Sequence, residues 1–78
     1  MSTKALLEYL VGQLVDHPDE VEVTAFETKK QETVLELRVA ESDTGKVIGK
    51  GGRIAQALRT VVKAAALKNG QRVSVEII

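Results

Sequence analysis

The 78-residue chain contains no cysteine and no tryptophan, a single proline and a single histidine, and its only aromatic residues are Tyr9 and Phe26. Without thiols there is neither a disulfide nor a thiolate metal site, so a folded state must rest on packing the 44% of residues that are hydrophobic. The lone histidine, His17, precedes Pro18 in "DHPD" and has no partner with which to build a triad or a zinc site; it reads as a solvated turn residue. The carboxylates alternate with apolar residues or fall in turns, and no pair stands out as acid and base. An enzyme, a resident metal and a cofactor are therefore all unexpected.

Long apolar runs are missing too. Nothing approaches the roughly 18 uninterrupted apolar residues of a membrane span. The segment "MSTKALLEYLVGQL" lacks the cationic start, apolar run and cleavage site of a secretory leader. A soluble, cytoplasmic protein without membrane contact is expected. At this length one domain, residues 1–78, is expected as well, because so few residues cannot close a second core.

Acid is absent from one long stretch. From Met1 to Asp43 there are ten acidic residues against Lys4, Lys29, Lys30 and Arg38, a balance of −6. From Thr44 to Val75 there is none, while Lys46, Lys50, Arg53, Arg59, Lys63, Lys68 and Arg72 give +7, and Glu76 returns the sum to zero. Ordinary solvated helix faces are one reading of this partition. An oriented surface that meets an anionic ligand is the other.

Hydrophobic spacing gives the elements. Ser2 or Thr3 can cap a helix carrying Leu6, Leu7, Leu10, Val11 and Leu14, which "DHPD" should stop. Val21, Val23 and Ala25, then Leu35, Leu37 and Val39, alternate with polar residues on either side of "ETKKQE" and read as an antiparallel hairpin with one buried face. Ser42, Asp43 or Thr44 can cap a short helical turn through Lys46, Val47 and Ile48. A long helix from about Gly52 to Lys68 follows, closed by a left-handed cap at "NG", and Val73, Val75 and Ile77 form a third strand. The order is α-β-β-α-α-β.

Between the last two helices stands "GKVIGKGGRIAQAL". A linker is excluded because both flanks carry apolar residues that the core needs. A phosphate loop of the G-x-x-x-x-G-K-[ST] kind fails: Gly45 to Gly49 is one residue short, and Gly51 stands where a hydroxyl is required. The dinucleotide pattern G-x-G-x-x-G fails at Ile54. What remains is G-x-x-G, Gly49 to Gly52, opening a helix whose free N–H groups and dipole favour an anion, with Lys50 at the tip.

"VIGKGGRI" within this element order resembles the K-homology (KH) domain in its type II arrangement, over nearly the whole chain. The chain is similar to the small stand-alone bacterial KH proteins of the KhpA/YlqC family. The resemblance implies an α+β fold, a three-stranded sheet packed against three helices, and a loop that clamps about four single-stranded RNA nucleotides between helices and a strand. Carried onto this sequence, it assigns Gly49, Lys50, Gly51 and Gly52 to the phosphate-contacting loop. Val47, Ile48, Ile54 and Leu58 are then divided between core and groove floor, with Ile48 and Ile54 taken as RNA-binding candidates; Lys46, Arg53 and Arg59 are candidates for phosphate contact. With no aromatic near the glycines, base-stacking platforms are not available and an aliphatic groove is the mode that the composition permits. The resemblance further implies a post-transcriptional regulator or RNA chaperone, and as partner a larger KH-containing RNA-binding protein of the KhpB/Jag kind. The alternative is a protein-interaction module, a dimerisation partner with little RNA binding of its own. On the long helix, Ile54, Leu58, Val61 and Ala65 form one stripe, leaving Val62, Ala66 and Ala55 as a surplus apolar patch for a homodimer or a heterodimer.

Overall fold

The computed structural model describes residues 1–78. Helix α1, Thr3–Gly12, starts where the Ser2 hydroxyl accepts a hydrogen bond from the Ala5 N–H at 3.1 Å. It turns Leu7 and Val11 inward. It ends at Gly12, before "DHPD" is reached, and Pro18 instead opens a 3-10 turn over Pro18–Glu20. Fixed φ and a missing N–H suit proline to that first position.

Strands β1, Glu22–Glu27, and β2, Thr33–Arg38, pair antiparallel, with Val23 opposite Leu37 and Ala25 opposite Leu35. Strand β3, Val73–Ile77, pairs parallel to β2, with Leu35 opposite Val75, so the sheet order is β1-β2-β3. A parallel neighbour needs a crossover, and helix α2, Thr44–Ile48, and helix α3, Arg53–Lys68, supply it. The observed order is the expected α-β-β-α-α-β.

Alternation divides the sheet's two faces. Val23, Leu35, Leu37, Val73 and Val75 join Leu7, Val11, Val47 and the inner stripe of α3 in one core. The opposite face carries Glu22, Thr24, Phe26, Val34, Glu36, Ser74 and Glu76. Ala25, expected inside, is exposed, because helices cover the β1 edge only near Val23.

At its far end α3 closes as the "NG" pair predicts. Gly70 takes φ +70°, the Gln71 N–H donates to the Ala66 carbonyl at 2.8 Å, and the Gly70 N–H donates to Leu67 at 3.0 Å. These two bonds are the paired closure of a left-handed helix cap.

The homodimer patch expected on α3 is contradicted. Val62 and Ala66 are 0% and 1% exposed and belong to the core with the sheet residues, and Ala55 is 3% exposed, so none of the three is free for a partner. The helix is rotated by one flank relative to the stripe expected from sequence: Ala55, Leu58, Val62 and Ala66 form the inner face, whereas Val61 is 46% exposed. The small side chains face inward because they let the helix axis lie close on the sheet. Val62→Asp is therefore expected to destabilise the fold by several kcal/mol, about 3–5, by burying an unpaired carboxylate. Val61→Asp is expected to shift the thermal midpoint by less than about 4 °C, as surface changes do. Thermal denaturation of the two variants side by side checks the assignment.

Candidate nucleic-acid interface

Helices α2 and α3 are joined through four residues, Gly49-Lys50-Gly51-Gly52. Gly49 takes φ +76° and ψ 174°, a region that only glycine occupies readily. A Cβ there would lie 2.6 Å from Ile54 Cγ1, so both backbone and packing require glycine. Gly51 and Gly52 are left-handed, at φ +66° and +76°, and a Cβ on either would meet open space. The Gly49 N–H donates to Gly45, the Gly52 N–H to Gly49 and the Arg53 N–H to Lys50. The amides of Lys50 and Gly51 fall between these closures and take no part in them. Lys50 and Gly51 are exposed at the tip. The result is a tight turn with small residues on either side of one lysine, set at the start of a 16-residue helix.

A buried carboxylate fixes where that turn sits. Asp43, at the start of α2, is 0% exposed. It accepts hydrogen bonds from the Asp16 N–H at 3.2 Å, the His17 N–H at 3.0 Å and His17 Nδ1 at 3.1 Å. Lys46 Nζ lies 3.8 Å from Asp43 Oδ1 and pairs directly with the Asp16 carboxylate. Burial works to raise the Asp43 pKa, but the backbone N–H of Asp16, with the His17 ring and backbone, outweighs it and leaves the pKa lowered. The hydrogen bond to Asp43 raises the His17 pKa, against a smaller effect of desolvation. Lys46 is raised above the ordinary lysine value, first by its bond to Asp16.

Two sequence readings change here. His17 is not a free turn residue; it holds Asp43 through both its backbone and its ring. Lys46 is not a free cation waiting for phosphate, because two carboxylates of the chain already engage it. Neither contact was legible, since Asp16 and His17 lie 27 and 26 residues from Asp43.

The remaining candidates fall on or beside the turn. Ile48, 38% exposed, leads into it, and half-buried Ile54 packs under Gly49 and against the core. Lys50 and Arg53 are exposed and take part in no ion pair. Two open hollows flank α3. One, about 430 Å³, lies between α1 and α3 and is walled by Leu10, Leu14, Ile54, Ala57, Leu58 and Val61. The other, about 620 Å³, lies between α3 and strand β3 and carries Gln56, Arg59, Thr60, Lys63, Ser74 and Glu76. Arg59 Nε donates to the Val75 carbonyl at 3.3 Å across this second hollow. Gln56 and Lys63 were not singled out from sequence, although both stand one turn from Arg59 on the same flank.

An α-β-β-α-α-β sheet-and-helix layer whose two crossover helices meet at a G-x-x-G turn defines a KH-type domain. A family model described as the KhpA/KhpB KH domain matches residues 4–77. The chain is 60% identical over 75 residues to the RNA-binding protein KhpA of Clostridium acetobutylicum, covering 96% of this chain and 99% of that one. It is 50% identical over 72 residues to the RNA-binding protein KhpA of Bacillus subtilis, covering 92% and 88%. A solved structure of Era with MgGDPNP and nucleotides 1506–1542 of 16S ribosomal RNA shares the fold at a TM-score of 0.65 and 17% identity, over 96% of this chain and 28% of that one. The chain belongs to the KhpA/KhpB KH-domain family.

The Asp43–His17 contact sets a pH dependence. His17 is raised above 6.5 in the folded state, so its contribution is complete below about pH 6.5 and is lost as pH rises through the folded value. Asp43 is lowered below 3.8, so its contribution is complete above that pH and is lost as pH falls through the folded value. Thermal stability is expected to be greatest between these limits. His17→Ala should lower the midpoint at pH 5.5 and flatten the decline between pH 6 and 8.5; an unchanged profile in melts across that range would show that the pair does not titrate as described.

Proposed function

We propose that this protein is a cytoplasmic, non-enzymatic, single-strand RNA-binding protein that grips the phosphate backbone with the Gly49–Gly52 turn. One observation carries the reading: three positive-φ glycines around Lys50, placed at the N-terminus of a helix whose charged residues are all basic. Gly49 brings the chain close, Gly51 and Gly52 keep side chains out of the way, and Lys50 and Arg53 supply charge. The names of the KhpA relatives support the same reading, and action in post-transcriptional control or as an RNA chaperone follows from it.

With Lys46 held by Asp16 and Asp43, Lys50, Arg53 and Arg59 remain of the four cations assigned to phosphate from the sequence. Two or three neutralised phosphates give a slope of log K against log salt between about −1.4 and −2 for a single strand. Lys50→Asp with Gly51→Asp should abolish binding and leave circular dichroism unchanged, since aspartate tolerates the left-handed conformation at Gly51 better than most residues. Full affinity in the folded double variant, or a slope near zero, would refute the loop assignment.

One KH domain meets few nucleotides, and a second RNA-binding surface held nearby raises the effective affinity. A second KH domain of the same family, in another copy or in a KhpB-like protein, is the partner we infer. The hollow between α1 and α3 supports this, because Leu14 and Val61 leave apolar surface uncovered there. Sedimentation is expected to lose the associated species on Val61→Asp; unchanged association would place the contact elsewhere.

A further inference from the structure

Four titratable side chains meet at the foot of α2, and their charges do not balance. Asp16 and Asp43 are two carboxylates, and Lys46 is the one permanent cation that engages both: it pairs with the Asp16 carboxylate, and its Nζ lies 3.8 Å from Asp43 Oδ1. The fourth member is His17, whose Nδ1 lies 3.1 Å from Asp43 Oδ2. With a neutral imidazole, two carboxylates against one ammonium leave the cluster at −1; with a protonated imidazole it is neutral. Removing Lys46 from the cluster therefore leaves more uncompensated negative charge when His17 is neutral than when it is protonated.

The two carboxylates differ in how far they need the lysine. The Asp16 side chain is 67% exposed, and water solvates it without a cation. Asp43 is 0% exposed, so its charge must be met by groups of the protein. Oδ2 takes the N–H and the ring of His17, while Oδ1 takes the Asp16 N–H and faces Lys46. Neutral or charged, the ring can donate through Nδ1; what protonation adds is a positive charge on Oδ2 at hydrogen-bond distance. The ammonium on Oδ1, farther off, is then dispensable. The charged groups that bear on His17 are Asp43 at the start of α2, Glu20 in the 3-10 turn and the neighbouring Asp16; all are acidic and raise its pKa above 6.5, the hydrogen bond to Asp43 first. The ring is about half exposed and exchanges its proton with solvent.

Lys46 stands three residues before Gly49 on the exposed side of α2, less than one helical turn from the glycine turn. Lys50 and Arg53 lie at the tip and on the α3 side of that turn, so a released Lys46 adds a cation on the α2 side.

We propose that Lys46 is a gated phosphate contact: a proton on His17 satisfies Asp43, releases Lys46 to the RNA backbone, and makes the grip on single-stranded RNA tighter at lower pH. His17 acts as a positioning residue and touches no RNA itself. Linkage makes the coupling reciprocal, so bound RNA favours protonated His17 by the same factor. The proposal rests on the RNA-binding reading.

The test uses the full chain and octauridine at pH 5.5 and pH 8, between which the phosphates keep their charge. Wild type is expected to bind about threefold more tightly at pH 5.5, the size of one exposed charge contact. Its slope of log K against log salt should be steeper there by about 0.7, one further phosphate. Lys46→Gln removes the gated cation, and His17→Gln removes the titration while keeping the backbone N–H that Asp43 uses. Each variant, with circular dichroism showing it folded, is expected to give one affinity and one slope at both pH values. In wild type, an NMR titration of the His17 ring is expected to show its proton dissociation constant lowered about threefold by octauridine, the same factor through linkage. A pH dependence that persists in either variant, a wild type that binds equally at both pH values, or a His17 titration that RNA leaves unmoved overturns the proposal and leaves the RNA-binding reading standing. A wild type that binds octauridine at neither pH overturns both.

Discussion

Asp43 has no access to water, and a carboxylate in that position must be matched by donors or lose its charge. The donors come from the corner between α1 and β1, where Asp16 and His17 turn their N–H groups toward it. This interaction fixes the start of α2 on a segment more than 25 residues away. Helix α2 has only five residues, too few to persist by its own hydrogen bonds. Three contacts hold it: Asp43 at its start, Val47 in the core, and Gly49 seated on Ile54 at its end. The glycine turn inherits its position from that frame. Without it, the turn would be joined to α3 alone.

The same frame explains how a chain with no net charge presents one face to an anion. Glu22 and Glu36 of the first half and Glu76 of the last strand stand on the outer side of the sheet, Glu36 and Glu76 as neighbours across β2 and β3. Like charges side by side on a sheet are mildly destabilising, and they also make that side repel a polyanion. The basic residues Lys50, Arg53, Arg59 and Lys63 lie on the turn and the exposed flanks of α3. Of the acids outside the sheet, Glu8 lies on α1 and Asp19, Glu20 and Glu41 lie in the two 3-10 turns, while Asp16 and Asp43 are engaged by Lys46. The partition visible along the sequence thus leaves the glycine turn and α3 without a single acid.

Local signals in the sequence were reliable where a single residue type decides the backbone. Ser2 at the first cap, the "NG" pair at the last, alternation in three strands and the glycines of the turn all led to the element order. Where two solutions shared one spacing, the sequence was silent. On α3, the stripe through Ile54, Leu58, Val61 and Ala65 and the stripe through Ala55, Leu58, Val62 and Ala66 share Leu58 and differ by one flank; only the closeness of helix to sheet chooses the second. The engagement of Lys46 was hidden for another reason. It depends on a buried acid and on a turn distant in sequence, and neither periodicity nor charge counting represents such a contact.

Glycine in a loop is ordinarily a source of disorder, because it loses more conformational freedom on folding than any other residue. Here the freedom is removed by specific contacts. Ile54 fills the space that a side chain at Gly49 would need, the Gly52 N–H closes back on the Gly49 carbonyl at 3.1 Å, and the Arg53 N–H closes on Lys50. The turn is held in a conformation that residues with a Cβ would resist, and it holds that conformation with almost no side chains. For a ligand as uniform as a phosphate chain, a preformed backbone surface avoids the ordering cost that a flexible basic loop would incur on binding. A domain this small has little stability to spare for such ordering. Rigidity of the turn and shortness of the chain are in that sense one requirement, and the buried carboxylate of Asp43 is what lets 78 residues meet it.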